Sequence, residues 1–294
     1  MITTDALLLI VGAGPAGCHA ATMAASVGMT SLLIDPGPTP GGTLWQIGHL
    51  TNFPGYTDGP SYARVLGMAV GGIDRYCTYL QGTVVRVEPT DEHVRALLAD
   101  GTSLVGELLI AATGTHPAKA GEASWITCEQ DFPTLTSTTP TNLGPRTIVL
   151  GADRPLGTWL RAHREADQNL MVCHTAAEAY KVDEVRHDAR VQLVQVQHVS
   201  VAGDDPFKVR LNLADDTQRV TEADSVVTNL GNVPSSLSGL AVGPDGFCPP
   251  GDQHPRILTA GDLTARVGQR VATAVGSGAG ASLALQARFR HQAV

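Results

Sequence analysis

Three observations predict an α/β fold carrying two Rossmann-like dinucleotide-binding domains. The chain opens with an apolar run, a glycine turn, a helical stretch of small residues, a second apolar run and an acid. Near its middle a fresh apolar strand with its own glycine, Thr147-Ile-Val-Leu-Gly151, is followed by a helical stretch after Pro155 and a strand at Leu170–Cys173. Alternating runs at Val191–Val201 and Phe207–Leu213 then read as antiparallel strands.

Taken in order, Ala6–Val11 is short and apolar without interruption, as a parallel strand buried on both faces is. Gly12-Ala-Gly14-Pro15-Ala16-Gly17 follows at once. Gly12 permits the tight turn, Gly14 lets the backbone approach a pyrophosphate, and Gly17 lets the helix pack closely on the strand. The N-terminus of that helix offers unpaired N–H groups and a positive dipole end to phosphates. The helical pattern runs through Ala20, Ala21, Met23, Ala24 and Val27 to Gly28, and the strand Ser31–Asp35 ends on a carboxylate able to accept ribose hydroxyls. Pro133–Pro145, rich in Thr, Pro, Asn and Gly, reads as a linker.

Composition bounds the function. Apolar residues at 43 % and charged residues at 16 % of 294 describe a soluble globular chain. A net charge of −8 and no basic block argue against a nucleic-acid partner. Ala6–Val11 is too short to span a bilayer and has no basic flank, so neither a membrane span nor a signal peptide is expected, and the expected compartment is the cytoplasm. Cys18, Cys77, Cys128, Cys173 and Cys248 are odd in number and scattered, and no two form CxxC; that fits a reducing compartment, with no disulfide framework and no metal site. Only Lys119, Lys181 and Lys208 supply lysine, while Arg, Ala, Gly and Val abound, a usage that points to a GC-rich bacterial genome.

Several further segments, in order, resemble the thioredoxin reductase-like flavoproteins. Gly41-Gly42 followed by Asn52-Phe-Pro-Gly55 is similar to the family's segment along the flavin. Leu108–Gly114 resembles the strand and turn that return near the adenosine half. Arg256–Asp262 resembles the late FAD motif, whose Asp accepts a hydrogen bond from the ribityl chain. Gln269-Arg270-Val271, then Gly276 to Gly280, resembles the helix facing the flavin pyrimidine edge. The resemblance implies FAD as cofactor. It implies two three-layer ββα domains, the second inserted in the first: an FAD domain of residues 1–116 and 245–294, and a degenerate NAD(P)H-binding-like domain of 117–244. Besides the first turn and Asp35, it assigns cofactor contact to Gly41, Gly42, Thr43, Asn52, Val85, Ala112, Thr113, Gly114, Gly261, Asp262, Gln269, Arg270 and Val271. It also implies a homodimer.

The chain departs from that family at three places. Where the family carries its redox CxxC, this chain has Ile126-Thr-Cys128-Glu-Gln-Asp131-Phe132; one thiol cannot form an internal disulfide. The second glycine turn reads Gly151-Ala-Asp153-Arg-Pro155-Leu156-Gly157, with Asp153 in the place of the middle glycine and Leu156 in that of the small residue. A Cβ and a negative charge at Asp153 oppose a pyrophosphate. The next strand ends His174-Thr-Ala176 in place of the adjacent arginines that take a 2′-phosphate. Third, Trp45, Gln46 and His49 replace small polar residues beside the flavin, and Arg270 stands where Gln is usual. A Trp stacks on substrate or packs in the core, and a His moves protons near neutral pH or only hydrogen-bonds. Trp45, His49 and Cys128 are thus the candidate catalytic residues, with His116 a lesser one.

The expected function is an FAD-dependent oxidoreductase that oxidises a small organic substrate by two electrons directly at the flavin, with O₂ or an external carrier as acceptor. The alternatives are a ferredoxin- or NAD(P)H-linked flavin reductase and a non-catalytic FAD-binding sensor or complex subunit. The first alternative needs an intact nucleotide site, and many such reductases carry a C-terminal extension over the flavin; with Val294 soon after Gly280, that extension is expected to be absent.

Overall fold

The computed structural model describes residues 2–3 and 8–290. Ala6 and Leu7, which open the predicted first strand, and Val294 lie outside the described residues. The chain divides into two compact units, residues 1–115 with 234–294, and residues 116–233.

In the first unit a five-stranded parallel sheet runs in the order Ile257–Thr259, Leu108–Ala111, Leu8–Val11, Ser31–Asp35, Cys77–Gln81. Leu8–Val11 and Leu108–Ala111 are buried along their whole length, which is why they read as unbroken apolar runs. One core cluster joins alternate residues of this sheet to the helices Pro15–Ser26, Gly59–Gly71 and Val271–Arg290. A second cluster joins the remaining residues to the sheet of Ile2–Thr3, Ser103–Gly106, Val94–Leu98 and Val84–Pro89. The result is a helix layer, a parallel sheet and a second sheet, the expected three-layer arrangement. Asp58 caps the helix Gly59–Gly71 by accepting the Ser61 N–H at 2.7 Å. The helices Pro15–Ser26 and Val271–Arg290 approach closely because both are rich in Ala and Gly. A Cβ on Gly278 would overlap the carbonyl of Ala16, and buried Ser282 donates its hydroxyl to the Ala20 carbonyl at 2.7 Å.

In the second unit the strands Ser225–Thr228, Arg146–Leu150, Asn169–His174 and Val191–Ala202 are parallel neighbours, and Phe207–Leu213 and Gln218–Ala223 continue antiparallel. Val191–Ala202 serves both regimes: its first half pairs with Asn169–His174 and its second with Phe207–Leu213, with a register shift between Val196 and His198.

Two expectations are corrected. Residues 234–244 do not belong with the inserted domain. Ser235 N–H donates to the Gly114 carbonyl at 2.9 Å, Val87 N–H donates to the Ser238 carbonyl at 2.8 Å, and Leu240 is buried in a first-unit cluster. The boundary falls at Pro234 because this stretch adds itself to the edge at Val84–Pro89 rather than turning through solvent. Pro133–Pro145 is likewise not a free linker. Leu135 and Leu143 are buried in the second unit's core, and Trp159 donates its indole N–H to the Thr138 carbonyl at 3.0 Å. Its Thr- and Pro-rich composition builds two short turns, Leu135–Ser137 and Pro140–Asn142, which expose the hydroxyls and bury the leucines.

Candidate cofactor site

At the carboxyl ends of the first unit's parallel strands the backbone forms a cradle. Gly12 sits at φ +99°, its N–H donates to the Ile34 carbonyl at 2.7 Å, and a Cβ there would overlap the Ala112 carbonyl oxygen. Only glycine meets both demands. Gly17 packs so closely that a Cβ would overlap the Gly12 carbonyl. Gly14, between them, differs: nothing lies within 4 Å of where its Cβ would be. It caps the helix that starts with Pro15, whose first-turn N–H groups face that space.

Asp35 closes one side of the cradle, accepting from Ala13 N–H at 2.7 Å on one oxygen and from Gly37 N–H at 2.8 Å on the other. Each oxygen keeps a further lone pair for a ribose hydroxyl. The Thr113 hydroxyl donates to the Ser235 carbonyl at 2.6 Å, which fixes the Ala112–Gly114 turn. Gly261, at φ +70°, donates its N–H to the Ser277 hydroxyl at 2.8 Å and presents Asp262. Burial pushes the Asp262 carboxyl above the ordinary carboxylate range, and the charge of Arg270 partly opposes this.

One cavity of the first unit is lined by Gly12, Gly14, Pro15, Ala16, Asp35, Gly42, Thr43, Ala112, Thr113, Gly114, Gly261 and Asp262. Thr115 and Ala274, which the sequence reading missed, line it too. Both are short side chains one position or one helical turn beyond a motif, a place where residue type carries no signal. Other expected contacts lie outside this cavity. Gly17 and Gly41 shape it from behind, Gly41 by donating its N–H to the Ala13 carbonyl at 2.7 Å. Asn52 and Val85 are exposed. Gln269 and Arg270 bond within their own segment, to Ala265 and Gln269 carbonyls, and Val271 packs on the core.

The three candidate catalytic residues fall in different units, Trp45 and His49 in the first and Cys128 in the second. In the turn Gly42–Gln46, Leu44 points inward and Trp45 outward. Trp45 is 40 % exposed, donates its indole N–H to the Pro40 carbonyl at 3.0 Å, and lies 5.9 Å from the Arg64 guanidinium. His49 is exposed and does not line the cavity. Cys128 belongs to the second unit, on the strand Ile126–Cys128, half-buried against that unit's core. Burial raises its thiol pKa, the reverse of what an activated nucleophile needs. Asp131 is taken up by Lys119 at 2.8 Å. His116 pairs with Glu122 at 3.3 Å.

The second unit repeats the cradle's first step and then departs. Gly151 sits at φ +96°, donates its N–H to the Cys173 carbonyl at 2.8 Å, and has the Asn229 carbonyl oxygen 2.6 Å from its would-be Cβ. Two residues on, where the first unit has open Gly14, Asp153 stands. Its N–H donates to the Asn229 carbonyl at 3.0 Å and its carbonyl accepts from the Asn229 side chain at 2.7 Å. Its carboxylate leans over Gly231 and meets the Lys181 ammonium at 3.0 Å. Leu156, in the place of Gly17, is buried, and the helix Pro155–Ala162 begins one residue later relative to the turn than its counterpart. His174 is buried with its Nδ1 3.0 Å from the Thr175 carbonyl, and Thr175 and Ala176 directly follow the strand.

Among the described residues no cluster of His, Cys, Asp or Glu is arranged to hold a metal ion, and no helix is long and apolar enough to cross a membrane. The NAD(P)-binding Rossmann-like domain family matches residues 10–62. The thioredoxin reductase of Listeria innocua is 25 % identical over 92 % of this chain and 90 % of its own length. The Lactococcus lactis thioredoxin reductase structure aligns with a TM-score of 0.75 at 18 % identity, covering 96 % of this chain and 98 % of that one. The T. acidophilum thioredoxin reductase structure aligns with a TM-score of 0.67 at 20 % identity, covering 96 % of this chain and 98 % of that one. With the doubled glycine turn and the three-layer first unit, these likenesses show that the chain has the thioredoxin reductase-like FAD/NAD(P)-binding fold.

Proposed function

We propose that the protein is an FAD-dependent oxidoreductase that oxidises a small organic substrate directly at the flavin, using neither a redox dithiol nor a docked nicotinamide nucleotide. The observation that carries this reading is the asymmetry between the two glycine turns. Gly14 leaves open space before a helix N-terminus, whereas Asp153 fills the matching position with a carboxylate tied to Lys181.

The first-unit residues fit FAD. Gly14 and the first turn after Pro15 would hold the pyrophosphate, Asp35 the adenosine ribose, and Asp262 the ribityl chain. Asp262 accepts no hydrogen bond among the described residues, so a hydroxyl there would relieve a half-buried carboxylate. Bound FAD supplies two-electron redox chemistry; the chain binds and orients it. Cys128, without a CxxC partner and with a raised thiol pKa, is unsuited to dithiol exchange. O₂ or an external carrier is the acceptor in this reading.

The test is an anaerobic titration of the purified yellow protein, first with NADPH and then with NADH. The expected result is full flavin content and no bleaching by either, with bleaching by dithionite and recovery on admitting O₂. Rapid bleaching by NADPH would overturn the reading and move the protein to the reductases.

A further inference from the structure

Asp153 and Lys181 come from the two segments that a dinucleotide bridges in a Rossmann-like unit, the turn after the first strand and the stretch after the second. Here a 3.0 Å ion pair bridges them, with side chains only 27 % and 16 % exposed. Lys181 has one further acidic neighbour, Glu178 at 3.8 Å, itself held by the cap at Thr175. Two carboxylates face this one ammonium, and the turn's other cation, Arg154, is exposed. The Asp153 N–H, which in an open turn would face a phosphate, is spent on Asn229. The small cavity beside the carboxylate is otherwise lined by neutral groups, among them Thr134, Thr136 and Asn232.

We propose that Asp153 is the specificity-determining residue of the second unit: its carboxylate stands where a pyrophosphate would, Lys181 is its built-in counter-ion, and the pair closes the unit to anionic ligands. The proposal rests on the reading that this unit docks no nicotinamide nucleotide, and adds that one carboxylate is what closes it. Removing that charge leaves Lys181 with only the distant Glu178 and opens the turn to a phosphate anion. A half-buried unit charge a few ångströms from the ligand is worth at least about a ten-fold change in affinity even after solvent screening.

The test uses the full-length, flavin-loaded protein, so that the first unit's cradle is filled, and inorganic pyrophosphate as the probe in titration calorimetry. Asp153→Ser removes the charge and most of the side chain that fills the position, and Asp153→Gly, the residue the first unit has there, is a second variant should the first fold poorly. The expected result is no measurable binding by the parent, binding by Asp153→Ser at least about ten-fold tighter, and loss of that gain in Asp153→Ser/Lys181→Met. A variant that binds no better than the parent, a double variant that keeps the gain, or a parent that already binds pyrophosphate as tightly while ignoring NADPH would overturn the proposal. A parent that binds NADPH and is bleached by it would instead sink the reading under Proposed function. The two failures are therefore distinguishable.

Discussion

Gly12 and Gly14 are two residues apart and do different work, which single substitutions separate. Gly12→Ala must place a Cβ against the Ala112 carbonyl at a φ of +99°, so a loss of roughly 1–3 kcal/mol of stability is expected. Gly14 lies at φ −73° with open space beyond, so Gly14→Ala is expected to melt with the parent yet retain much less flavin. Thermal melts read against flavin absorbance check both; equal flavin retention by Gly14→Ala would remove the cradle from cofactor binding. Asp262 gives a pH-dependent counterpart. Its folded pKa is raised by burial, so the stability it contributes is fully present below its unfolded pKa and is lost as pH rises through the folded value. Flavin-free Asp262→Asn is therefore expected to be at least as stable as the parent at neutral pH, the difference closing in acid, while its flavin retention falls. Denaturant midpoints across pH test the sign. Spacing and residue type made these positions legible, because each carries a backbone or charge requirement that few residues meet. The direction of Trp45 was less legible: in a three-residue-per-turn segment a one-residue step moves a side chain from core to solvent, and Leu44 takes the inward place.

The helices Pro15–Ser26 and Val271–Arg290 belong to opposite ends of the sequence and pack through small residues. Gly278→Ala would push against the Ala16 carbonyl at the start of the cradle helix. The expected effect is a destabilisation of about 1–3 kcal/mol together with weaker flavin retention, since the cradle helix must shift. Chemical denaturation and flavin content measure the two, and a destabilised variant with parental flavin affinity would show that this packing does not position the site. Element types and most bounds were readable because strands buried on both faces are unbroken apolar runs; Ser31–Asp35 and Phe207–Leu213 were expected with their observed ends. Residues 133–145 and 234–244 were not, because single buried leucines such as Leu135 and Leu240, set among Thr, Ser, Pro and Gly, form no period to detect.

For the molecule as a whole, the doubled glycine turn gives the chain an internal reference: the same backbone step at Gly12 and Gly151 leads to an open position in one unit and a filled one in the other. Redox function in this reading is concentrated in the first unit, while the second keeps its fold without a bound nucleotide to bridge its loops. The discontinuity of the first unit has a consequence for the order in which the chain folds. Its strand Ile257–Thr259 must find Leu108–Ala111 across the whole of residues 116–233, and closing so long a loop is entropically costly. The second unit is continuous in sequence, so its folding shortens that loop and delivers residues 114 and 235 to the hydrogen bond they share. Pulse-labelled hydrogen exchange during refolding is expected to protect Arg146–Leu150 before Ile257–Thr259. The reverse order would mean that the ends of the chain meet without help, and that the inserted unit is not needed to bring the first unit's cradle together.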